Sequence, residues 1–295
     1  MNDAISRFRD VIRASGLEPP DVIEPGRLYR FPGIDKGPSN RAGWCKLFDD
    51  CLGGCFGDWS SGLSKTWFSK QDRPRSPQAQ AALSRQIKAA RLQAERARHD
   101  RHAAAAHRAR RIWDAAPAAP GRHAYLVAKG IEPHNARLHK GCLMLPVMSF
   151  DGLISSLQFI APNGSKRLLS GGRKRGCFIA VAGDEEQARR VIICEGWATG
   201  CTLAADDPDA LVLAAIDAGN LEPVAVAARR RWPSAEIVIA GDDDRRTPGN
   251  PGATQAKAAA IASDALLALP QWPADAPETL TDFNDLARWL AGGGA

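Results

Sequence analysis

Three carboxylates stand out by type and spacing. Glu195 directly follows the apolar run Val191–Cys194, and Asp242 and Asp244 follow Glu236–Ala240 after a single glycine. Asp242 and Asp244 are two residues apart, so in extended backbone they project to one side and Asp243 to the other. Three carboxylates held close repel one another, and without a neutralising cation at least one must keep its proton. Hard oxygen ligands of this kind suit Mg²⁺ or Mn²⁺, with water and substrate phosphate filling the remaining positions. A metal held there stabilises charge on an attacked phosphate and lowers the pKa of an attacking hydroxyl. Asp-rich loops after strands are also ordinary turn chemistry. Glu195 at an equivalent strand end favours the metal over the turn.

The elements that must position these groups follow from the pattern after Arg190. Val191–Cys194 is an apolar strand, Ala198–Ala205 a short helix, Leu211–Ile216 a second strand and Leu221–Arg231 a helix. Glu236–Ala240 is a third strand, and Ala253–Leu269 reads as a long Ala-rich helix that Pro270 ends. Near-continuous apolar strands separated by helices predict an α/β fold, a mostly parallel sheet with helices on both faces. Functional groups in such sheets sit at the C-terminal ends of strands. If the first and third strands are neighbours, Glu195 meets the aspartates at one edge.

Upstream, residues 121–185 form a second unit. Leu143–Val147 and Leu153–Ile160 read as strands joined at Asp151-Gly152, a strong hairpin signal. The segment from Asn163 to Gly176 carries Lys166, Arg167, Arg173, Lys174 and Arg175 among glycines. Glycines let a backbone approach a phosphate and the cations neutralise it.

Residues 71–112 differ in composition. Pro74 and Pro77 mark a linker, and Ala79–Ile112 is an Ala/Arg/Gln-rich helix with a thin apolar stripe, expected to be exposed along much of its length. The segment from Gln71 to Ile112 holds eleven Lys/Arg and three Asp/Glu, a net +8, against +6 for the whole chain. It reads as a solvated connector or as a basic arm touching phosphates. Residues 1–70 read as a small β-rich module. A helix over Asp3–Ser15 presents Ile5, Phe8, Val11 and Ile12, and short strands follow near Leu28–Phe31, Trp44–Phe48, Gly54–Trp59 and Thr66–Phe68, as in a meander.

The bulk properties agree with a globular protein of more than one domain. The chain has 295 residues, 44% hydrophobic and 24% charged, and a pI near 9.1. Seven cysteines, an odd count, and no export signal over Met1 to Asp10 argue against a disulfide framework and for a cytoplasmic location. No run reaches the length of a membrane span. Cys45, Cys51 and Cys55 lack a paired C-x-x-C and a fourth ligand, so no zinc site is expected. Trp44, Trp59 and Trp67 read as core, with a base-stacking platform as the sharper alternative.

Cys194-Glu-Gly-Trp-Ala-Thr-Gly-Cys-Thr-Leu203 and Ile239-Ala-Gly-Asp-Asp-Asp244, with Asn250-Pro-Gly252 behind, resemble the Toprim domain, whose signature is a Glu after the first strand and an Asp-x-Asp after a later one. Asp217-Ala-Gly-Asn-Leu221 and Asp282-Phe-Asn-Asp-Leu286 resemble the version in DNA primases of plasmids, phages and integrating elements. Tyr125-Leu126, Lys129-Gly130, Leu145-Pro146-Val147, Leu157-Gln-Phe-Ile160 and Gly164-Ser-Lys-Arg167 resemble the segment before Toprim in those primases. Gly43-Trp44, Leu47-Phe48, Cys55-Phe-Gly-Asp-Trp59 and Thr66-Trp67 are similar to their small N-terminal domain, which in many members is a zinc ribbon.

The resemblance implies four regions. These are a β-rich module over 1–70 at the zinc-ribbon position, a basic helical connector over 71–112, an α+β primase subdomain over 113–188, and a Rossmann-like Toprim domain over 189–295.

Composition prunes the Toprim activities. Tyr29 and Tyr125 lie in no recognisable nucleophile motif, which disfavours a topoisomerase. No G-x-x-x-x-G-K-[ST] is present, which disfavours an ATPase-fused nuclease or a linked helicase. Primer synthesis remains, joining ribonucleoside triphosphates on a single-stranded DNA template, with a separate replicative helicase as partner. Asp242 and Asp244 would hold Mg²⁺, with Glu195 as ligand or general base and Asp282 or Asp285 as a further carboxylate. Lys166, Arg167, Arg173 and Lys174 would contact template or nucleotide phosphates, with Lys129 and Lys257 as further candidates. A non-catalytic single-strand-binding accessory and a Toprim metal-dependent nuclease are the alternatives.

Overall fold

The computed structural model describes residues 2–69 and 77–292. Pro74, expected in a linker, lies outside them. The chain divides into two compact units, Met1–Arg101 and His102–Ala295.

In the first unit, helix α1 (Asn2–Arg13) precedes strands β1 (Leu28–Phe31), β2 (Gly43–Leu47), β3 (Gly53–Asp58) and β4 (Leu63–Phe68). The strands form an antiparallel meander in the order β1-β2-β3-β4, as the turn spacing predicts. Alternation along the strands sends side chains to two cores. Phe8, Ile12, Cys45, Leu47 and Phe56 fill one face. Trp44, Phe48 and Cys55 fill the other, against Ala90 and Ala94 of helix α2 (Pro77–Ala115). Cys45 and Cys55 are therefore separated by the sheet. Burial pushes the Cys45 thiol up to about 12 and raises Cys55 as well.

Helix α2 is exposed along much of its length, as its composition suggests, with one buried stripe. Ala90, Ala94, Ala105 and Ala109 are buried. Their i, i+4 spacing makes a stripe with almost no side chain, so the helix backbone approaches its neighbours closely while the apolar signal in sequence stays weak. Trp44 is core, and Trp67 tilts against Phe8 with ring centroids 5.4 Å apart.

The second unit opens with the end of α2 and helix α3 (Ala124–Lys129), then β5 (Arg137–His139), β6 (Cys142–Met148), β7 (Ile154–Ile160) and β8 (Lys166–Leu168) in one antiparallel sheet. The β6–β7 hairpin turns at Asp151-Gly152, with Gly152 at φ 77°. Met144, Leu157 and Phe159 pack under Ala109 of α2, while Leu143, Leu145, Val147 and Ile160 face the core of the following sheet.

That sheet contains β9 (Ile179–Ala182), β10 (Arg190–Cys194), β11 (Leu211–Ala214), β12 (Glu236–Ala240) and β13 (Leu266–Ala268), in the order β13-β12-β10-β11-β9. All neighbours are parallel except β9, which runs antiparallel at one edge. Val191, Ile193, Leu213, Ile237 and Ile239 bury one face under α5 (Leu221–Arg231) and α6 (Pro251–Ser263). Ile192, Cys194, Val212 and Ala240 bury the other under α4 (Trp197–Asp206). Helix α7 (Phe283–Ala291) closes the chain. The fold is the expected α/β architecture, with the core continuous from β6 and β7 into the parallel sheet.

The helix expected over Ala253–Leu269 is corrected. It ends at Ser263, because Asp264 takes a left-handed conformation at φ 50° and its N–H caps the Ala260 carbonyl. Asp tolerates that conformation better than most residues. Leu266–Ala268 then becomes the fifth strand, paired with Val238–Ala240.

Candidate active site

Strands β10 and β12 are adjacent and parallel, with Cys194 opposite Ala240. Glu195 and the Gly241–Asp244 segment thus leave the sheet from the same end. Asp242 is desolvated, and its Oδ1 is buried with no hydrogen-bond partner among the described residues. Burial first, then the negative charges of Glu195, Asp282 and Asp244, push its pKa up to about 8, with Lys166 acting in the opposite sense. Glu195 is also raised, by burial and by Asp217 and Asp244, with the Ala218 backbone N–H and Lys166 partly offsetting this.

The turn holding the aspartates is locked locally. Asn250 sits at φ 40° and caps α6, accepting from the Ala253 N–H at 3.3 Å and the Asp244 N–H at 2.9 Å. Asp244 Oδ2 accepts the Gly252 N–H at 2.9 Å, placing its charge at the positive end of α6. A Cβ on Gly252 would stand 2.7 Å from the Asp242 carbonyl oxygen and 2.9 Å from Asp244 Oδ2, so the turn requires glycine there. Asp243 points elsewhere, as the spacing predicts. It accepts from Asn250 Nδ2 at 2.6 Å and Trp272 Nε1 at 2.9 Å.

Among the basic residues, Lys166 comes to the carboxylates. Its Nζ lies 3.8 Å from where a Cβ on Gly196 would stand. Lys166, Arg167 and Leu168 form a strand rather than the open loop the glycines suggest. Arg167 lays its guanidinium 4.4 Å from the Phe159 ring centroid. Arg173 Nε donates to Cys177 Sγ at 3.2 Å, and Lys257 is exposed on α6. Lys129 forms an ion pair with Asp285 at 3.2 Å. Asp282 caps α7 through the Asp285 N–H at 2.8 Å and turns its charge toward Asp242. Asn284 ties the same motif down, donating to the Lys129 carbonyl and to Thr202 Oγ1, each at 2.9 Å.

Two residues at the site carry no role in the sequence reading. Asp217 adds a carboxylate beside Glu195 and is ion-paired with Lys174. Asn220 is buried, and its Nδ2 donates to the carbonyls of Lys174 at 3.2 Å, Cys177 at 2.8 Å and Ala215 at 2.8 Å. Its Oδ1 accepts the Gly176 N–H at 2.8 Å. One side chain thereby fastens the basic Lys174–Cys177 turn to the end of β11. Ile216, between them, is at φ 81°, a strained value for a β-branched residue. The only sequence signal is the Asp217-Ala-Gly-Asn motif itself, which names the residues without their bonds.

Among the described residues, no three His, Cys, Asp or Glu side chains are grouped closely enough to hold a metal unaided. Mg²⁺ is commonly bound through one or two carboxylates, with waters and substrate phosphates completing the octahedron. The unpartnered Asp242 Oδ1, amid Glu195 and Asp244, fits that partial donor set.

Residues 190–290 match the Toprim domain family model. Two curated relatives from Escherichia coli, both named DNA primase TraC, are 41% and 39% identical over 147 residues. Each match takes in 47% of this chain but only 14% and 10% of the relatives' own lengths. The crystal structure of the Aquifex aeolicus primase zinc-binding and RNA polymerase domains is 12% identical, with a TM-score of 0.44 over 99% of this chain and 82% of that one. With its glutamate and its Asp-x-Asp turn on adjacent parallel strands, the segment from residue 190 to residue 290 is a Toprim domain.

Proposed function

We propose that this chain is a DNA primase of the plasmid or mobile-element type, joining ribonucleotides into short primers on single-stranded DNA. The observation that carries this reading is the buried, unpartnered Asp242 beside Glu195 with Lys166 above them. It is supported by similarity to relatives named DNA primase.

Asp242 and Asp244 would hold Mg²⁺, or Mn²⁺ in its place, and the ion would supply charge stabilisation at the attacked phosphate and at the attacking oxygen. Glu195 accepts the proton of the 3′-hydroxyl as that oxygen bonds to the α-phosphorus and pyrophosphate leaves. Lys166 orients the triphosphate against the carboxylates. Arg173 and Lys174, on the turn that Asn220 fastens, meet template or nucleotide phosphates. Asp285, paired with Lys129, fixes α7 so that Asp282 faces Asp242. A replicative helicase that exposes the template is the partner this reading expects.

The test uses purified chain, single-stranded DNA, labelled ribonucleotides and Mg²⁺. New oligoribonucleotides, lost in Glu195→Gln, support primer synthesis. Degraded DNA would assign a nuclease. A salt-sensitive shift with neither product would assign a binding accessory. Wild-type primer yield from Glu195→Gln overturns the site assignment.

A further inference from the structure

Asp243 stands between the two aspartates assigned to the metal, yet its carboxylate is held by a distant segment of the chain. Residues 269–282, between β13 and α7, form neither helix nor strand. They grip the Asp242–Arg245 turn from outside. The Asp243 N–H donates to the Thr281 carbonyl at 2.7 Å. Trp272 Nε1, 29 residues on, donates to Asp243 Oδ2 at 2.9 Å. Arg245 Nη2 donates to the Pro277 carbonyl at 2.7 Å and to the Leu280 carbonyl at 3.4 Å. The Arg245 guanidinium lies 4.5 Å from the Trp272 ring centroid, so the cation holds the indole in turn.

Both Asp243 oxygens are thus satisfied by neutral donors, Oδ1 by Asn250 Nδ2 at 2.6 Å and Oδ2 by Trp272. The Asn250 side chain also caps α6, which accounts for its place. The Trp272 N–H serves Asp243 alone. Held by both oxygens, the Asp243 side chain cannot rotate toward the metal side, and the backbone on either side of it is fixed.

Such fixation matters to some cations more than to others. Mg²⁺ demands a near-ideal octahedron with bonds of about 2.0–2.1 Å, whereas Ca²⁺ accepts irregular sets of oxygens at about 2.3–2.6 Å. A turn that cannot spread favours the smaller ion. A loosened turn suits the larger one.

We propose that Trp272 is a positioning residue that fixes the Asp242–Asp244 turn through Asp243, and that this fixation selects Mg²⁺ over Ca²⁺. The inference rests on Asp242 and Asp244 being the metal ligands of the proposed primase site. Trp272 acts through Asp243 and not on the ion.

The test reads metal binding without activity, from the electron paramagnetic resonance signal of free Mn²⁺ and its displacement from the full chain by Mg²⁺ or Ca²⁺. Trp272→Phe keeps a ring beside Arg245 and removes the donor. It should weaken Mg²⁺ about tenfold, the lower end of the effect of residues that orient ligands. Ca²⁺ should weaken by less than about threefold, so the preference for Mg²⁺ falls. Asp243→Ala cuts the same bond from its other end and should lower the preference as well. Added to Asp243→Ala, Trp272→Phe should change nothing further. A purely structural tryptophan would lower the melting temperature and leave the preference at its wild-type value. An unchanged preference in Trp272→Phe, or in Asp243→Ala should Trp272→Phe fail to fold, overturns the proposal, as does an additive loss in the double variant. Asp242→Asn separates this inference from the reading beneath it. If Asp242→Asn abolishes Mn²⁺ binding while Trp272→Phe keeps the wild-type preference, the role of Trp272 alone fails. Wild-type Mn²⁺ affinity in Asp242→Asn removes the metal assignment itself.

Discussion

Each of the two units buries an ionisable group against others of its own sign. In the Toprim domain it is Asp242, with one oxygen unpartnered and Glu195, Asp244 and Asp282 around it. In the N-terminal unit it is Arg30, with two unpartnered nitrogens and Arg41, Arg98 and Arg101 around it. Neither group has an ion-pair partner among the described residues, so each meets mainly charges of its own sign. The signs of the two imbalances are opposite, negative at the first and positive at the second. The two also differ in degree. Asp242 is pushed from its ordinary 3.8 up to about 8, while Arg30 is relieved by the Trp59 face and one carbonyl.

The contrast between the two units breaks first at activity. Asp242→Asn and Glu195→Gln each remove a carboxylate from the site that would hold the metal. We expect primer synthesis to fall about a thousandfold or more, the scale of several kcal/mol of lost transition-state stabilisation. Circular dichroism of the variants should match the wild type. A loss confined to tenfold would mean these carboxylates are not the centre of the chemistry.

The next effect is on stability against pH, and its sign is opposite to that of an ordinary salt-bridged aspartate. In metal-free protein the folded state raises Asp242 from 3.8 to about 8. Folding therefore takes up a proton between those values. The contribution is fully present below about pH 4 and is lost as pH rises through 8. Each tenfold change in proton affinity is worth about 1.4 kcal/mol. Asp242→Asn, a permanent mimic of the protonated form, should thus be more stable than wild type by a few kcal/mol at pH 9 in EDTA. The two should converge near pH 4. Thermal unfolding at both pH values checks this, and Mg²⁺ at pH 8 should raise the wild-type midpoint but not that of Asp242→Asn.

How much of the fold and the site is legible in the sequence depends on whether the signal is local. Val191–Cys194, Leu221–Arg231 and Glu236–Ala240 announce themselves because an apolar run or a helical period is written in consecutive residues. Glu195 and the Asp242–Asp244 turn follow from their position after those runs. The fifth strand, Leu266–Ala268, is hidden because Asp264 is not the glycine that usually marks a helix end, leaving Pro270 as the visible stop. The edge strand Ile179–Ala182 reads in sequence as part of the preceding unit. Arg30 and Arg98 are far apart in sequence, and nothing in either neighbourhood forecasts that both lie over Trp59. Asn220 likewise has partners more than forty residues upstream.

Asn220 sharpens the anionic side of the comparison, because it positions the cations that offset the carboxylates. Asn220→Ala strands the carbonyls of Lys174, Cys177 and Ala215 and the Gly176 N–H. At about 1 kcal/mol net for each hydrogen bond, we expect a loss of about 3–4 kcal/mol in urea unfolding. Nucleotide KM should rise more than kcat falls, because the carboxylates stay in place while Lys174 and Arg173 lose their anchor. Asn220→Asp should not rescue, since a carboxylate would face three carbonyl oxygens with no proton to donate.

The smallest effect tests the cationic side. Arg30→Met keeps an unbranched apolar stem against Trp59 and removes the central charge from the arginine cluster. The loss of one cation–π interaction, about 0.5–1 kcal/mol at a partly exposed site, opposes the gain from relieved repulsion and from removing two unpartnered donors. The donors dominate, so the melting temperature should stay level or rise by about 1–2 °C, the scale of a fraction of a kcal/mol. The increase should shrink as salt rises, because screening weakens the repulsion being relieved. A fall of several degrees at any salt would mean that Arg30 holds the sheet together, and the symmetry between the two buried charges would fail on that side.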